Sequence, residues 1–184
     1  GRVARGDRRS YSDCRQLTWK KTMPDTQTNT RAQFAAVDEL LTRWLSERRA
    51  LLTCYTELVV TLDNNPPPST LRQRQLVLCQ RLVDYASAGH FEVFHELLEE
   101  AERFNDGGGE LAAQLIPSIG DTTEVVLAYE EKYGDGSDYP DTLMRDLSAL
   151  GEVLESRFEL EDRLIAGLHN AHRRLVEPAP DQVG

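Results

Sequence analysis

Three breaks divide this chain into four long segments, and each segment carries apolar residues at the spacing of an α-helix. Asp63-Asn64-Asn65-Pro66-Pro67-Pro68 is the first break, because consecutive prolines lack helical N–H donors and clash with the preceding turn. Gly107-Gly108-Gly109 is the second, and the loop Gly134-Asp135-Gly136-Ser137-Asp138-Tyr139-Pro140 is the third. Ahead of them Phe34, Val37, Leu41, Trp44, Leu51, Tyr55, Leu58 and Leu62 recur every three or four residues, which predicts a helix from about Arg31 to Leu62.

A second helix is expected from a cap at Ser69 or Thr70 to about Asn105. Gly89 within it costs about 1 kcal/mol relative to Ala unless close packing requires it. A third helix spans Glu110 to about Tyr133, interrupted or kinked at Pro117. The fourth spans Asp141 to about Val176, with Leu143, Leu147, Leu150, Leu154, Phe158, Ile165, Leu168 and Leu175 as its stripe. Four long helices with short connections predict an all-α, antiparallel four-helix bundle. With aromatics at 7 % and no alternating β-branched run, nothing calls for a sheet.

The 184 residues fit one domain. Residues 31–176 are expected to form the bundle, and 177–184, with Pro178 and Pro180, a frayed tail. Residues 1–30 are expected to be disordered or expression-derived, with at most a short docked piece around Leu17 and Trp19. Met23-Pro24 reads as a start site, which would make residues 1–22 an upstream extension.

Charge is unevenly placed. Residues 1–22 hold seven Lys/Arg against two Asp/Glu, whereas residues 23–184 hold 14 against 29, giving −10 overall. An acidic body argues against direct nucleic-acid binding and favours a cationic partner. The arm at Arg2, Arg5, Arg8 and Arg9 is a weak nucleic-acid candidate. Cys14, Cys54 and Cys79 show no Cys-x-x-Cys spacing and are odd in number, so they read as reduced thiols of a cytoplasmic protein. Cys54 and Cys79 fit helical periodicity as small buried hydrophobes. No apolar run reaches the roughly 18–20 residues of a membrane span, and the basic N-terminus has no apolar signal core.

The second helix has an unusual surface. At about 100° per residue, Leu76, Val83, Ala86, His90, Val93, Phe94, Leu97, Ala101 and Phe104 form one stripe. A second row, Asp84, Ser87, Phe91, His95 and Leu98, lies roughly a quarter turn away, while Tyr85, Glu92, Glu96, Glu99 and Arg103 form a polar side. One stripe suffices for a bundle. The second row either packs on another element of the chain or docks a partner.

Polar residues also interrupt the apolar stripes. Arg48 falls between Trp44 and Leu51, and counting 18 residues either way from Pro66 places it level with Asp84. Either the two pair across the hairpin, or Arg48 snorkels to solvent. Glu161 and His172 interrupt the fourth stripe, with Arg157 one turn from Glu161. They belong either to a polar pocket or to a partly exposed seam.

Catalytic motifs are missing: there is no phosphate-binding glycine loop and no nucleophile turn. Metal chemistry rests on Glu92-Val93-Phe94-His95 and His169-Asn170-Ala171-His172, fragments of the sites that helical bundles build. A hemerythrin-like metal- or small-ligand-binding bundle using His90, Glu161, His169 and His172 is therefore an alternative. However, Glu92 faces the polar side, and Arg157 stands where a ligand histidine is wanted. No cofactor is expected in the leading interpretation.

Three blocks carry a family resemblance. Leu82-Val83-Asp84-Tyr85-Ala86-Ser87-Ala88-Gly89-His90-Phe91 resembles the hallmark segment of the Rsd/AlgQ family of bacterial anti-sigma factors. Arg43-Trp44-Leu45-x-x-Arg48-x-x-Leu51-Leu52 continues it, and Leu150-Gly151-Glu152-x-Leu154-Glu155-x-Arg157-Phe158-x-Leu160-Glu161-Asp162-x-Leu164-Ile165 returns to it. His169-Asn170-Ala171-His172 is similar to the AlgQ branch.

The resemblance implies an all-helical protein that binds region 4 of the primary sigma factor, and a monomer is expected. Such a protein hinders recognition of the −35 element and core polymerase as growth slows. It also implicates Asp84, Ser87 and Phe91 in that contact, on the second row, where His95 and Leu98 extend it. Arg48, His90, Glu161 and His172 are expected in a supporting polar interior. Phe91 and Leu98 would supply apolar anchors beside an acidic, cation-seeking surface.

Overall fold

The computed structural model describes residues 26–137 and 140–176. Among the described residues six α-helices are present: α1 (Thr26–Asp63), α2 (Pro68–Ala88), α3 (Phe94–Phe104), α4 (Gly108–Tyr133), α5 (Pro140–Ile165) and α6 (Ala171–Val176). A π-helical turn, Gly89–Val93, joins α2 to α3, and another, Ala166–Asn170, joins α5 to α6. The four long rods are thus α1, α2–α3, α4 and α5–α6, and the fold is an all-α helical bundle, with 92 % of the described residues helical. Short connections turn each rod back along the one before it. The expectations for residues 1–25 and 177–184, including Cys14, lie outside the described residues.

The rods pack in a ring, with α1 on α2, α2 on α4, and α4 on α5. Each supplies its periodic residues to one core, among them Val37, Leu41, Trp44 and Leu51, then Leu78 and Leu82, Leu115 and Ile119, and Leu147, Leu150 and Leu154. Burial of these side chains, worth roughly 1.5–3 kcal/mol each, is the main force closing the bundle. Cys79 belongs to this core, where burial pushes its thiol up to about 12, whereas Cys54 is half-buried.

The helix boundaries follow from local chemistry. After Asp63, Asn65 takes a left-handed conformation (φ 48°) and the prolines begin. α2 has no side-chain cap. Pro68, whose ring presets a helical φ, occupies its first turn, and the backbone carbonyl of Pro67 accepts from Thr70 and Leu71 in place of the expected Ser69 or Thr70 cap. Asn105 (φ 47°) and Gly107 (φ 91°) make the second break, and α4 starts at Gly108, with the other two glycines inside it. α4 runs through Pro117 without ending.

The two π turns account for the main departures from the expected stripes. A π turn holds one extra residue, so the buried face beyond it rotates by about 100°. Before the first turn Leu78, Leu82, Tyr85 and Ala86 are buried, and from its last residue on Val93, Phe94, Leu97, Glu100 and Ala101. The stripe fixed from the second half therefore fails in the first: Leu76 and His90 are exposed and Val83 is half-buried. Tyr85, placed on the polar side from the sequence, is only 3 % exposed. Beyond the second turn Val176 is buried and Leu175 is exposed, the reverse of the expected stripe.

Candidate docking surface and the polar interior behind it

The Asp84–Leu98 stretch is shaped around Trp44 of α1. Tyr85 stacks on the indole at 4.9 Å, Phe94 meets it edge-on at 5.7 Å, and the indole N–H donates to the Tyr85 carbonyl at 3.2 Å. Gly89 is required here: a Cβ at this position would lie 2.9 Å from Trp44 Cζ2. Close approach, and not a weak point in the helix, explains the glycine. Between buried Gly89 and Val93 the π turn pushes His90, Phe91 and Glu92 into solvent. Phe91 is 74 % exposed, the highest value among the exposed large hydrophobics of the described residues.

The second row is therefore not covered by the bundle, although its members differ. Asp84 and His95 are exposed and Ser87 is half-buried. Leu98 is half-buried and packs on the core, so it is less available as an anchor than the sequence implied. His95 pairs with Glu99 at 3.0 Å. His90, expected in the interior, is exposed, with its ring edge-on to Phe91 at 4.9 Å, because the π turn carries it outward. Phe91, Glu92, His95 and Glu96 form one wall of a groove of about 370 Å³, and Val37, Leu40 and Arg43 of α1 line the other.

The expected Arg48–Asp84 pair does not form. Asp84 accepts from Gln80 on its own helix at 2.8 Å. Arg48 instead donates from Nε to the Tyr85 hydroxyl at 3.1 Å and from Nη2 to Glu161 at 2.9 Å, and it also reaches Asp162. The hairpin count missed by one residue, which is enough on a helix to exchange an exposed side chain for a buried one.

Glu161 is the centre of this first polar cluster. It is 0 % exposed, and its carboxylate accepts from Arg48, from the Tyr85 hydroxyl and from Arg157 Nε at 2.7 Å. Arg157, 1 % exposed, also donates to the hydroxyls of Thr122 and Thr123 at 3.0 and 2.7 Å. Burial pushes the Glu161 carboxyl up, opposed by Arg157, Tyr85 and Arg48. The cluster ties α1, α2, α4 and α5 together, and the partly exposed seam is not what forms around Glu161. Removing one partner of such a group leaves a buried charge uncompensated.

His172 is likewise fully buried, in a second cluster at the α6 end. There His169 and His172 both bond Glu100 of α3. His90, Glu161, His169 and His172, the set of the metal alternative, do not converge: His90 is on the surface and Glu161 sits in the Arg48 cluster. Among the described residues no group of three His, Cys, Asp or Glu side chains is placed to hold a metal ion. The sequence reading missed Tyr85, Glu100 and Asp38. Glu100 had a visible signal, standing three residues after Leu97 and seven after Val93 on the buried face.

Residues 23–169 match the family model described as regulator of RNA polymerase sigma(70) subunit, Rsd/AlgQ. The chain belongs to the Rsd/AlgQ family. A protein named regulator of sigma D from Salmonella arizonae is 37 % identical over 134 residues, covering 70 % of this chain and 80 % of the relative. One of the same name from Yersinia pseudotuberculosis is 30 % identical over 132 residues, covering 70 % and 78 %. No solved structure gives a significant match. No helix among the described residues is long and apolar enough to cross a membrane.

Proposed function

We propose that this Rsd/AlgQ protein regulates the sigma-70 subunit of RNA polymerase as a cytoplasmic monomer, by gripping sigma region 4 along the Phe91 edge without itself contacting DNA. One observation carries the proposal: a large aromatic side chain stands in solvent on the rim of a groove flanked by Glu92 and Glu96. An exposed aromatic beside polar and acidic groups has the composition of a binding hot spot. Region 4 meets DNA phosphate through a basic helix-turn-helix, so an acidic face competes for the same cationic side chains. Phe91 supplies the desolvated anchor, and the surrounding carboxylates steer the encounter and set its salt dependence. Asp84, Ser87 and His95 extend the contact along the helix, and Leu98 supports it from below.

Titrating isolated region 4 into wild type and Phe91→Ala tests this directly. The expected loss is about 2 kcal/mol, roughly a 30-fold weaker Kd, with unfolding unchanged because Phe91 contributes little to the core. Equal affinity of the two proteins contradicts the proposal.

A further inference from the structure

The cluster at the α6 end contains two buried imidazoles whose four ring nitrogens all face carboxylates. His169 places Nδ1 2.9 Å from Glu100 Oε2 and Nε2 3.1 Å from Asp38 Oδ1. His172 places Nδ1 2.8 Å from Glu100 Oε1 and Nε2 2.9 Å from Asp106 Oδ2. An ionised carboxylate only accepts, and a neutral imidazole has one N–H. Both rings are fully satisfied only when each carries two N–H groups, that is, as imidazolium ions.

Two further features agree. Arg173 reaches Asp38 at 2.6 Å, so His169, His172 and Arg173 balance Asp38, Glu100 and Asp106. Each ring is also stacked on an aromatic face, His169 on Phe34 at 4.1 Å and His172 on Phe104 at 4.0 Å, an arrangement that favours a cation.

The position of this cluster gives it a role. Asp38 lies on α1 between Val37 and Leu40, which line the groove, and Glu100 lies on α3 beyond His95 and Glu96 of the opposite wall. Asp38 and Glu100 do not themselves line the groove, but His169 bonds one residue on each of the two helices that carry its walls. We infer that His169 and His172, held as imidazolium ions, form a proton-charged brace that sets the spacing of α1 and α3 and so positions the docking groove. The link to docking rests on the function proposed above, whereas the charge state of the rings does not.

Burial alone would lower the His169 value, but Glu100 and Asp38 outweigh it and raise it above the usual 6.5. The His169 contribution is therefore complete below about pH 6.5 and is lost as pH rises through the folded-state value. His169 and Arg173 hold Asp38 below its usual range, and Gly108 and His172 do the same for Asp106, so on the acid side these carboxylates persist well below neutrality.

Two readouts on the full chain test the brace. Side-chain nitrogen NMR of the wild type at pH 6.5 is expected to show both nitrogens of both rings protonated, and neutral tautomers there overturn the inference. Region 4 binding is then measured across pH 6.5–9 for wild type and His169→Gln. Wild-type affinity is expected to fall about tenfold with rising pH, within the ordinary range of coupling between sites, and the slope to flatten in the folded His169→Gln variant. An unchanged slope in that variant overturns the positioning role. Absence of binding at every pH in the wild type overturns the docking proposal and with it the groove-positioning role, leaving the ionised pair to be decided by the NMR result.

Discussion

The two π turns use one irregularity to opposite ends. Each adds a residue to a long rod and rotates the chain beyond it by about 100°. At Gly89–Val93 the added residue sends His90, Phe91 and Glu92 outward. At Ala166–Asn170 it buries Leu168 and His169, and His172 follows them inward. The difference lies in what each turn faces. The first rests its glycine on the Trp44 ring and leaves His90, Phe91 and Glu92 to solvent. The second meets the carboxylates of Asp38 and Glu100, which accept from its histidine. One turn makes a surface at little structural cost, and the other makes an ionic lock.

The contrast is most strongly tested by removing the common acceptor of the lock. Glu100→Ala strands two buried rings and is expected to lower the free energy of urea unfolding by about 3 kcal/mol or more. Phe91→Ala is expected to shift unfolding by less than about 0.5 kcal/mol while costing about 2 kcal/mol in region 4 binding. If the two substitutions destabilise the fold equally, the distinction between surface and lock is wrong. Gly89→Ala comes next. The clash with Trp44 costs about 1–3 kcal/mol against roughly 1 kcal/mol of gained helix propensity, so thermal unfolding should show a net loss of about 1 kcal/mol. The smallest effect belongs to Arg48 and Asp84. With no shared partner, their losses in region 4 binding are expected to add within about 0.5 kcal/mol in a double-mutant cycle. A larger coupling would restore the cross-hairpin pair that the structure replaces.

Most of the fold was legible because three proline- or glycine-rich breaks and period-3.6 stripes are strong signals over long segments. Helix ends moved by a few residues, as with α1, which starts at Thr26 where the stripe begins near Arg31. What the sequence could not reveal was phase. A π turn leaves no composition mark, so Tyr85, His90 and Leu175 were assigned to the wrong side of their rods. A separate one-residue error, in the count across the proline hairpin, directed Arg48 to Asp84 when its partner is Tyr85, next in sequence. Arg157 and Glu161 were recoverable because their pairing is local, one turn apart on α5. The Glu100–His169–His172 contacts join residues about 70 positions apart, a range over which a single sequence gives no register.

Amide hydrogen exchange on the intact protein, with and without saturating region 4, tests the central claim most directly. The account predicts new protection concentrated in residues 84–98 and in the facing stretch of α1 around Val37–Arg43. Protection confined to α4 and α5, with the Phe91 turn exchanging as freely as before, would contradict it.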